Sequence, residues 1–279
     1  MKLKHLFLCL FAATFLASCS SDDDTPPTPS PDPTPPEVES TDYFPVANSY
    51  QWTYLNTSDV AQQQSENEET ITAKDTTVSS TSAHTFTTNV SLQEQGPATL
   101  LLTNGYVEKE DGKLIYNGYF SLTIAALNQT IAIPVTNVIL YDKNADAGIP
   151  LSTLADSYSQ DFTFNGLTVP VTINYTLTTS QGEAMATFNN GLQDYEDVIS
   201  SNIKLSLSAS ASIMGMNLDV IPLQDVLQTT NYFANTVGLI LSDSDVHIEF
   251  SDQLTQIPNI PELPVVDGTI TQRLEAHSF

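Results

Sequence analysis

From about residue 43 onward, apolar and polar side chains alternate in short runs, and few windows repeat at helical spacing. A period of two sends successive side chains to opposite faces, so these runs predict half-buried strands. Residues 70–78, 84–92, 99–108 and 113–122 read as strands. Three longer stretches, "YFSLTIAALNQTIAIPVTNVIL", "QDFTFNGLTVPVTINYTL" and "IKLSLSASASIMGMNLDVIPL", read as hairpins whose second strand contains a proline: Pro134, Pro170 and Pro222 respectively. Proline donates no ladder hydrogen bond and belongs at an edge, a bulge or a strand end. The expected fold is mainly β: a twisted or curved antiparallel sheet, half-barrel-like or a sandwich, with one or two short helices. Those helices are expected at residues 150–157 and 222–233, where Leu223, Val226 and Leu227 share one helical face.

The segments "SLTIAAL" and "LSASASIMGM" carry apolar or small side chains on both alternation sets. A sheet wet on one face keeps one set polar, so both faces of these hairpins are expected to be covered. Small residues such as Ala125, Ala126, Ala209 and Ala211 would admit a close cover.

The first residues follow a different pattern. Lys2 and Lys4 precede an apolar run over residues 6–15, and Ala17 and Ser18 precede Cys19. This is the layout of a secretory signal, with an apolar core too short for a permanent span. Leu16-Ala17-Ser18-Cys19 resembles the lipobox of bacterial lipoproteins. That resemblance implies a diacylglyceryl thioether on Cys19 and cleavage before it; no other cofactor is expected. Cys9 leaves with the leader, so no intramolecular disulfide remains. Ser21, Asp22, Asp23 and Asp24 resemble the acidic export tag of Bacteroidetes surface lipoproteins. The run "TPPTPSPDPTPP" that follows favours extended polyproline II, a spacer of roughly 35–40 Å. The expected organisation is a signal peptide over 1–18, a lipidated and proline-rich tether over 19–42, and a β-rich domain over 43–279. The expected location is the outer membrane, facing outward, with a periplasm-facing orientation as the alternative.

Charge removes one class of partner. The formal net charge is −25, and loss of Lys2 and Lys4 with the leader makes it more negative. Nucleic-acid binding needs clustered Lys and Arg, so none is expected. With 41% hydrophobic and 15% charged residues, the chain has material for a core.

Candidate chemistry is sparse. Asp142, Asn144 and Asp146 alternate like the first ligands of a calcium loop. Glycine, however, falls one position late for an EF-hand, and Thr153 stands where a bidentate Glu belongs. An Asx-rich turn explains the segment without calcium. His84, His247 and His277 could supply a base, and Ser244, Asp245 and His247 lie close together. In a strand, though, neighbours point to opposite faces, and no nucleophile-elbow motif is present. Tyr50, Trp52 and Tyr54 share one strand face and could form an aromatic platform for a glycan. The competing expectation, that they pin the opening strand into the core, is favoured by the area such rings bury.

Four segments resemble a family of uncharacterised Bacteroidetes outer-membrane and surface lipoproteins: "YFPVANSYQWTY", "LYDKNADAG", "FNNGLQDYEDVI" and "YFANTVGLI", in that order. The first carries the Tyr-Phe-Pro, then Trp-x-Tyr opening, and the last the Val-Gly-Leu strand. Ser49-Tyr50, Lys143 and Asn235-Thr236 depart from the family pattern. The resemblance implies a β-rich fold and no active site. The expected function is therefore a non-catalytic binding module for an amphipathic or apolar ligand or a protein partner. A structural or accessory subunit of a surface complex is the alternative, and a hydrolase or glycan-binding protein comes third.

Overall fold

The computed structural model describes residues 41–124, 129–164, 167–213, 216–256 and 263–279. Cys19, the acidic residues Asp22 to Asp24 with Ser21, the leader, the proline-rich run, Ala125 and Ala126 lie outside the described residues.

Within the compact unit Thr41–Phe279, twelve strands form one antiparallel sheet. They are β1 (Gln51–Val60), β2 (Gln63–Val78), β3 (Thr81–Thr88), β4 (Gly105–Glu110), β5 (Lys113–Ile124), β6 (Gln129–Asp142), β7 (Pro150–Phe164), β8 (Leu167–Asn189), β9 (Asp194–Ile213), β10 (Met216–Ala234), β11 (Gly238–Ile248) and β12 (Val266–Ser278). One α-helix, α1 (Pro97–Leu102), interrupts the meander between β3 and β4. The spatial order is β6-β5-β4-β3-β2-β1-β12-β11-β10-β9-β8-β7. The first and last strands therefore pair at the middle of the sheet, and the consecutive strands β6 and β7 form its two edges.

Those edges meet and nearly close the sheet into a barrel, and side chains satisfy groups on the free edge of β6. Ser152 Oγ accepts from Ile139 N (2.9 Å), and Thr179 Oγ1 donates to Ile139 O (2.7 Å). Gln181 Oε1 accepts from Asp142 N (3.0 Å), and Gln160 Nε2 donates to Thr130 O (2.7 Å). Tyr175 OH reaches Pro134 O at 3.3 Å. An open edge would template pairing with another chain; this one is occupied.

The three hairpins form, and each proline takes a position that tolerates a missing N–H. Pro134 lies on edge strand β6 opposite Tyr119. Pro170 lies just before Val171, where pairing of β8 with β9 begins. Pro222 sits in a bulge between Ile221 and Gln224.

Two expected helices do not exist. Residues 150–157 belong to β7 and residues 222–233 to β10. In β10 a second register shift follows between Asp225 and Leu227, so consecutive Val226 and Leu227 are both buried and imitate helical spacing. The expectation that both faces of the apolar hairpins are covered also fails. Leu122, Ala209 and Ala211 are buried, but Tyr119, Thr123 and Ser212 are exposed and Ser208 and Ser210 half-exposed. Outward hydroxyls such as Thr123 and Thr130, 3.2 Å apart, pair across the sheet and accept solvent on that face.

An aromatic floor closes the barrel end where β1 begins. Phe44 stacks on Trp52 with ring centroids 5.5 Å apart and meets Phe86 and Phe233 edge-on. The entering segment is fixed by Asp42, which pairs with Lys109, and by Tyr43 OH donating to Asp197 at 2.7 Å.

Candidate functional site

The helix α1 begins at Pro97, whose fixed φ and missing N–H suit the first helical position. Its N-cap, Gly96, offers no side chain, and the cap comes from β12 instead. Gln272 Oε1 accepts from Ala98 N (3.1 Å) and Thr99 N (3.4 Å), while Gln272 Nε2 donates to Thr99 Oγ1 at 2.6 Å. Beside it, fully buried Glu69 on β2 accepts from Asn56 Nδ2, Gly96 N and Gln272 Nε2 at Oε2, and from Thr88 Oγ1 at Oε1. A Cβ at position 96 would stand 2.5 Å from both Asn56 Oδ1 and Gln272 Cδ. Glycine is what lets the helix entrance approach this network.

Asn56 and Gln272 belong to a longer feature. Ladder register places Gln181 opposite Ser201, Ser201 opposite Asn231, Asn231 opposite Ser242, Ser242 opposite Gln272 and Gln272 opposite Asn56. Six adjacent strands, β8 to β12 and then β1, thus present a continuous row of polar side chains, and all six residues are buried. At one end of the row Gln181 serves the β6 edge and donates to Ser200 O; towards the other, Gln272 caps α1 and Asn56 Nδ2 donates to Glu69, while Asn56 Oδ1 has no hydrogen-bond partner. The middle is less well served. Ser201 Oγ, Asn231 Oδ1 and Ser242 Oγ are buried without a hydrogen-bond partner. An unsatisfied buried polar group costs about 1–3 kcal/mol, so three neighbours in one row call for an explanation.

Between α1 and this wall lies a cavity of about 300 Å³. Phe44, Phe233 and Leu239 form its inner end; Val60, Leu92, Thr123 and Val266 lie at the opposite end, where β1 and β5 finish and β12 begins. Ile203, Leu227 and Val246 line its side, and Asn231 contributes a polar group to it. One row away, Thr229 and Ser244 satisfy each other at 2.8 Å. Among the described residues, no ionisable side chain lines the cavity.

The residues singled out in the sequence lie elsewhere. Trp52 and Tyr54 have no exposed surface; Trp52 Nε1 donates to Val237 O (2.8 Å) and Tyr54 OH to Leu239 O (3.1 Å). Tyr50 packs on Phe279 with ring centroids 4.7 Å apart. The three therefore build core and floor and offer no exposed platform. Burial drives the Tyr54 phenol well above its ordinary pKa, with Glu69 adding to the shift.

Asp142 Oδ1 accepts from Asn144 N (2.9 Å), and Asn144 Nδ2 donates to Asp111 O (2.9 Å). This is the local geometry of an Asx turn, and Asp146 is directed into no cluster with them: among the described residues no group of three His, Cys, Asp or Glu side chains converges on a metal position. Ser244 faces the interior, whereas His247 is exposed and meets Asp267 at 3.1 Å. His84 meets Asp75 at 3.0 Å on another part of the sheet, and His277 lies against Phe279. Burial lowers the His277 pKa. The serine and histidines thus form no catalytic pair.

The cavity and the polar row escaped the sequence reading. Their residues are scattered from position 44 to position 272 and meet only through long-range contacts. No family model, curated protein or solved structure matches the chain.

Proposed function

We propose that this chain is a surface lipoprotein, tethered through Cys19 to the outer membrane, whose barrel is a non-catalytic binding module for an apolar or amphipathic small molecule. The observation that carries the reading is the apolar cavity of about 300 Å³ beside α1, with Asn231 among its few polar lining residues. Ligand sites are concave and mostly apolar, with a few placed polar groups. The resemblance to Bacteroidetes surface lipoproteins and the lipobox-like Leu16-Ala17-Ser18-Cys19 support the address. The exposed large apolar side chains Leu223, Tyr119, Leu192 and Ile149 belong to different elements or loops, which favours a cavity ligand over a protein interface.

Two measurements test the two halves. Cys19→Ala should remove the protein from the membrane fraction, and unchanged partitioning would refute the anchor. In the full chain carrying Cys19→Ala, where no covalent acyl chain competes, N-phenylnaphthylamine should gain fluorescence on binding. Val246→Phe, which fills the cavity, should abolish that gain. Equal fluorescence in both proteins would move binding away from this cavity.

A further inference from the structure

We infer that the ligand is a single-tailed amphiphile with an uncharged polyhydroxy head. Its tail lies in the cavity beside α1, and its head turns over the end of β1 into a polar hollow on the outer face of the sheet. The inference rests on the reading of the cavity as a ligand site and names the chemistry of what enters it.

Two concavities share the same two strand ends. Val60 on β1 and Ile270 on β12 line the apolar cavity, while their chain neighbours Asp59 and Thr269 line a second hollow, of about 400 Å³. Strand neighbours face opposite ways, so the wall here is apolar within and polar without. Register assigns the outer face: Asp59 stands opposite both Thr269 and Gln64, and Thr57 opposite Glu66. The cavity opens at this end, since Leu92 in its lining is 39% exposed, whereas buried Phe44 and Phe233 shut the other. A tail therefore enters first and its head stays at the rim. Val60 is the last residue of β1, and one strand residue spans about 3.3 Å, so a head passing over it reaches the hollow directly.

The hollow's side chains select the head. The hydroxyls of Thr57, Ser65 and Thr269 donate or accept, and the carboxylates of Asp59 and Glu66 only accept. Their complement must offer several protons and several lone pairs together, which a polyol does. Its hydroxyls donate to the carboxylates in charge-assisted bonds and accept from the threonines and serine. An ammonium has no lone pair for those hydroxyl protons. A carboxylate or phosphate head brings no proton and meets two like charges, with no Lys or Arg in the described lining. Size sets the tail. A dry cavity of about 150 Å³ accommodates benzene, so one of about 300 Å³ suits a chain of roughly eight to twelve carbons.

The experiment is competition against N-phenylnaphthylamine on the full chain carrying Cys19→Ala, using octyl glucoside, octanol, octylamine and octanoate below their micelle concentrations. Octyl glucoside should displace the probe about ten-fold more effectively than the other three, the effect of one net hydrogen bond to a charged group. Asp59→Ala combined with Thr269→Val should bring octyl glucoside to within about two-fold of octanol, as that bond is lost. If octyl glucoside competes no better than octanol, or if octylamine or octanoate leads, the polyol seat is refuted while the cavity remains a ligand site. Retention of the glucoside preference in the double variant also refutes it. If the probe binds Val246→Phe as well as the parent, the cavity reading itself falls. Should the double variant fail to fold, Glu66→Ala decides in its place: loss of the preference supports the seat and its persistence overturns it.

Discussion

Gln272 Nε2 lies 2.6 Å from Thr99 Oγ1, and through this contact the last strand caps a helix formed 173 residues earlier in the chain. The same amide accepts from two backbone N–H groups that a six-residue helix could not satisfy by itself. Helix and polar row are thereby tied to one side chain.

Gln272→Leu should destabilise the domain by about 1–3 kcal/mol, because it strands the Ala98 and Thr99 donors in a buried setting. Gly96→Ala should cost a similar amount, about 1–3 kcal/mol, by overpacking against Asn56 and Gln272. Urea denaturation measures both. Unchanged midpoints would mean that α1 is held by its leucines alone.

Alkaline pH should unfold the domain over a defined window. Burial, then the hydrogen bond to Asp197, pushes the Tyr43 phenol up from 10.0 to about 12. Burial, then Tyr175, does the same to Tyr158. Burial drives Tyr116 and Tyr141 higher still. The folded state holds these protons more tightly than the unfolded chain, so the stabilisation is complete below about pH 10 and is lost as pH rises toward about 12. Melting temperature followed across that range should stay level and then fall steeply, with tyrosinate absorbance rising at unfolding. Full tyrosinate absorbance in a still-folded protein would contradict the burial.

What the sequence made legible was alternation. Strand content, the three hairpins and the tolerance of Pro134, Pro170 and Pro222 all follow from period-two patterning and the chemistry of proline. Where alternation breaks, the reading breaks too. The bulges of β10 put Val226 and Leu227 side by side in the interior and made a strand look helical. In β7, an edge strand exposed over much of its length, weak patterning did the same for residues 150–157. Conversely, residues 99–102, the start of the expected 99–108 strand, belong to α1, whose first residue is Pro97. The polar row could not be read at all: Ser201, Asn231 and Ser242 are ordinary strand residues until register sets them side by side.

The side-chain seam between β6 and the β7–β8 pair should be the first part of the barrel to open. Gln181→Leu removes the acceptor for Asp142 N and the donor to Ser200 O. Native-state hydrogen exchange should then accelerate at Asp142 and Ile139, while the β1–β12 ladder at the sheet's centre stays protected. Uniform acceleration throughout the sheet would show that the seam opens only with global unfolding.

A last prediction separates the two faces of the β9–β10 hairpin. Ala209 is buried and stands opposite Ile173 on β8 and Ile221 on β10. Its neighbour Ser208 points the other way, is half-exposed and lies 3.5 Å from Asn174 Nδ2. A carboxylate at 209 would enter an apolar interior with no cation facing it. By analogy with unpaired buried charges, the cost should be about 3–5 kcal/mol, enough to unfold a domain whose whole stability is about 5–15 kcal/mol. A carboxylate at 208 keeps its water, and a surface change of that kind stays within about 0.5 kcal/mol. Ala209→Glu should therefore lower the denaturation midpoint sharply and Ser208→Glu should leave it nearly in place. Equal losses would mean that the outward face is covered after all, and equal tolerance that the inward face at this end of the barrel is reached by solvent.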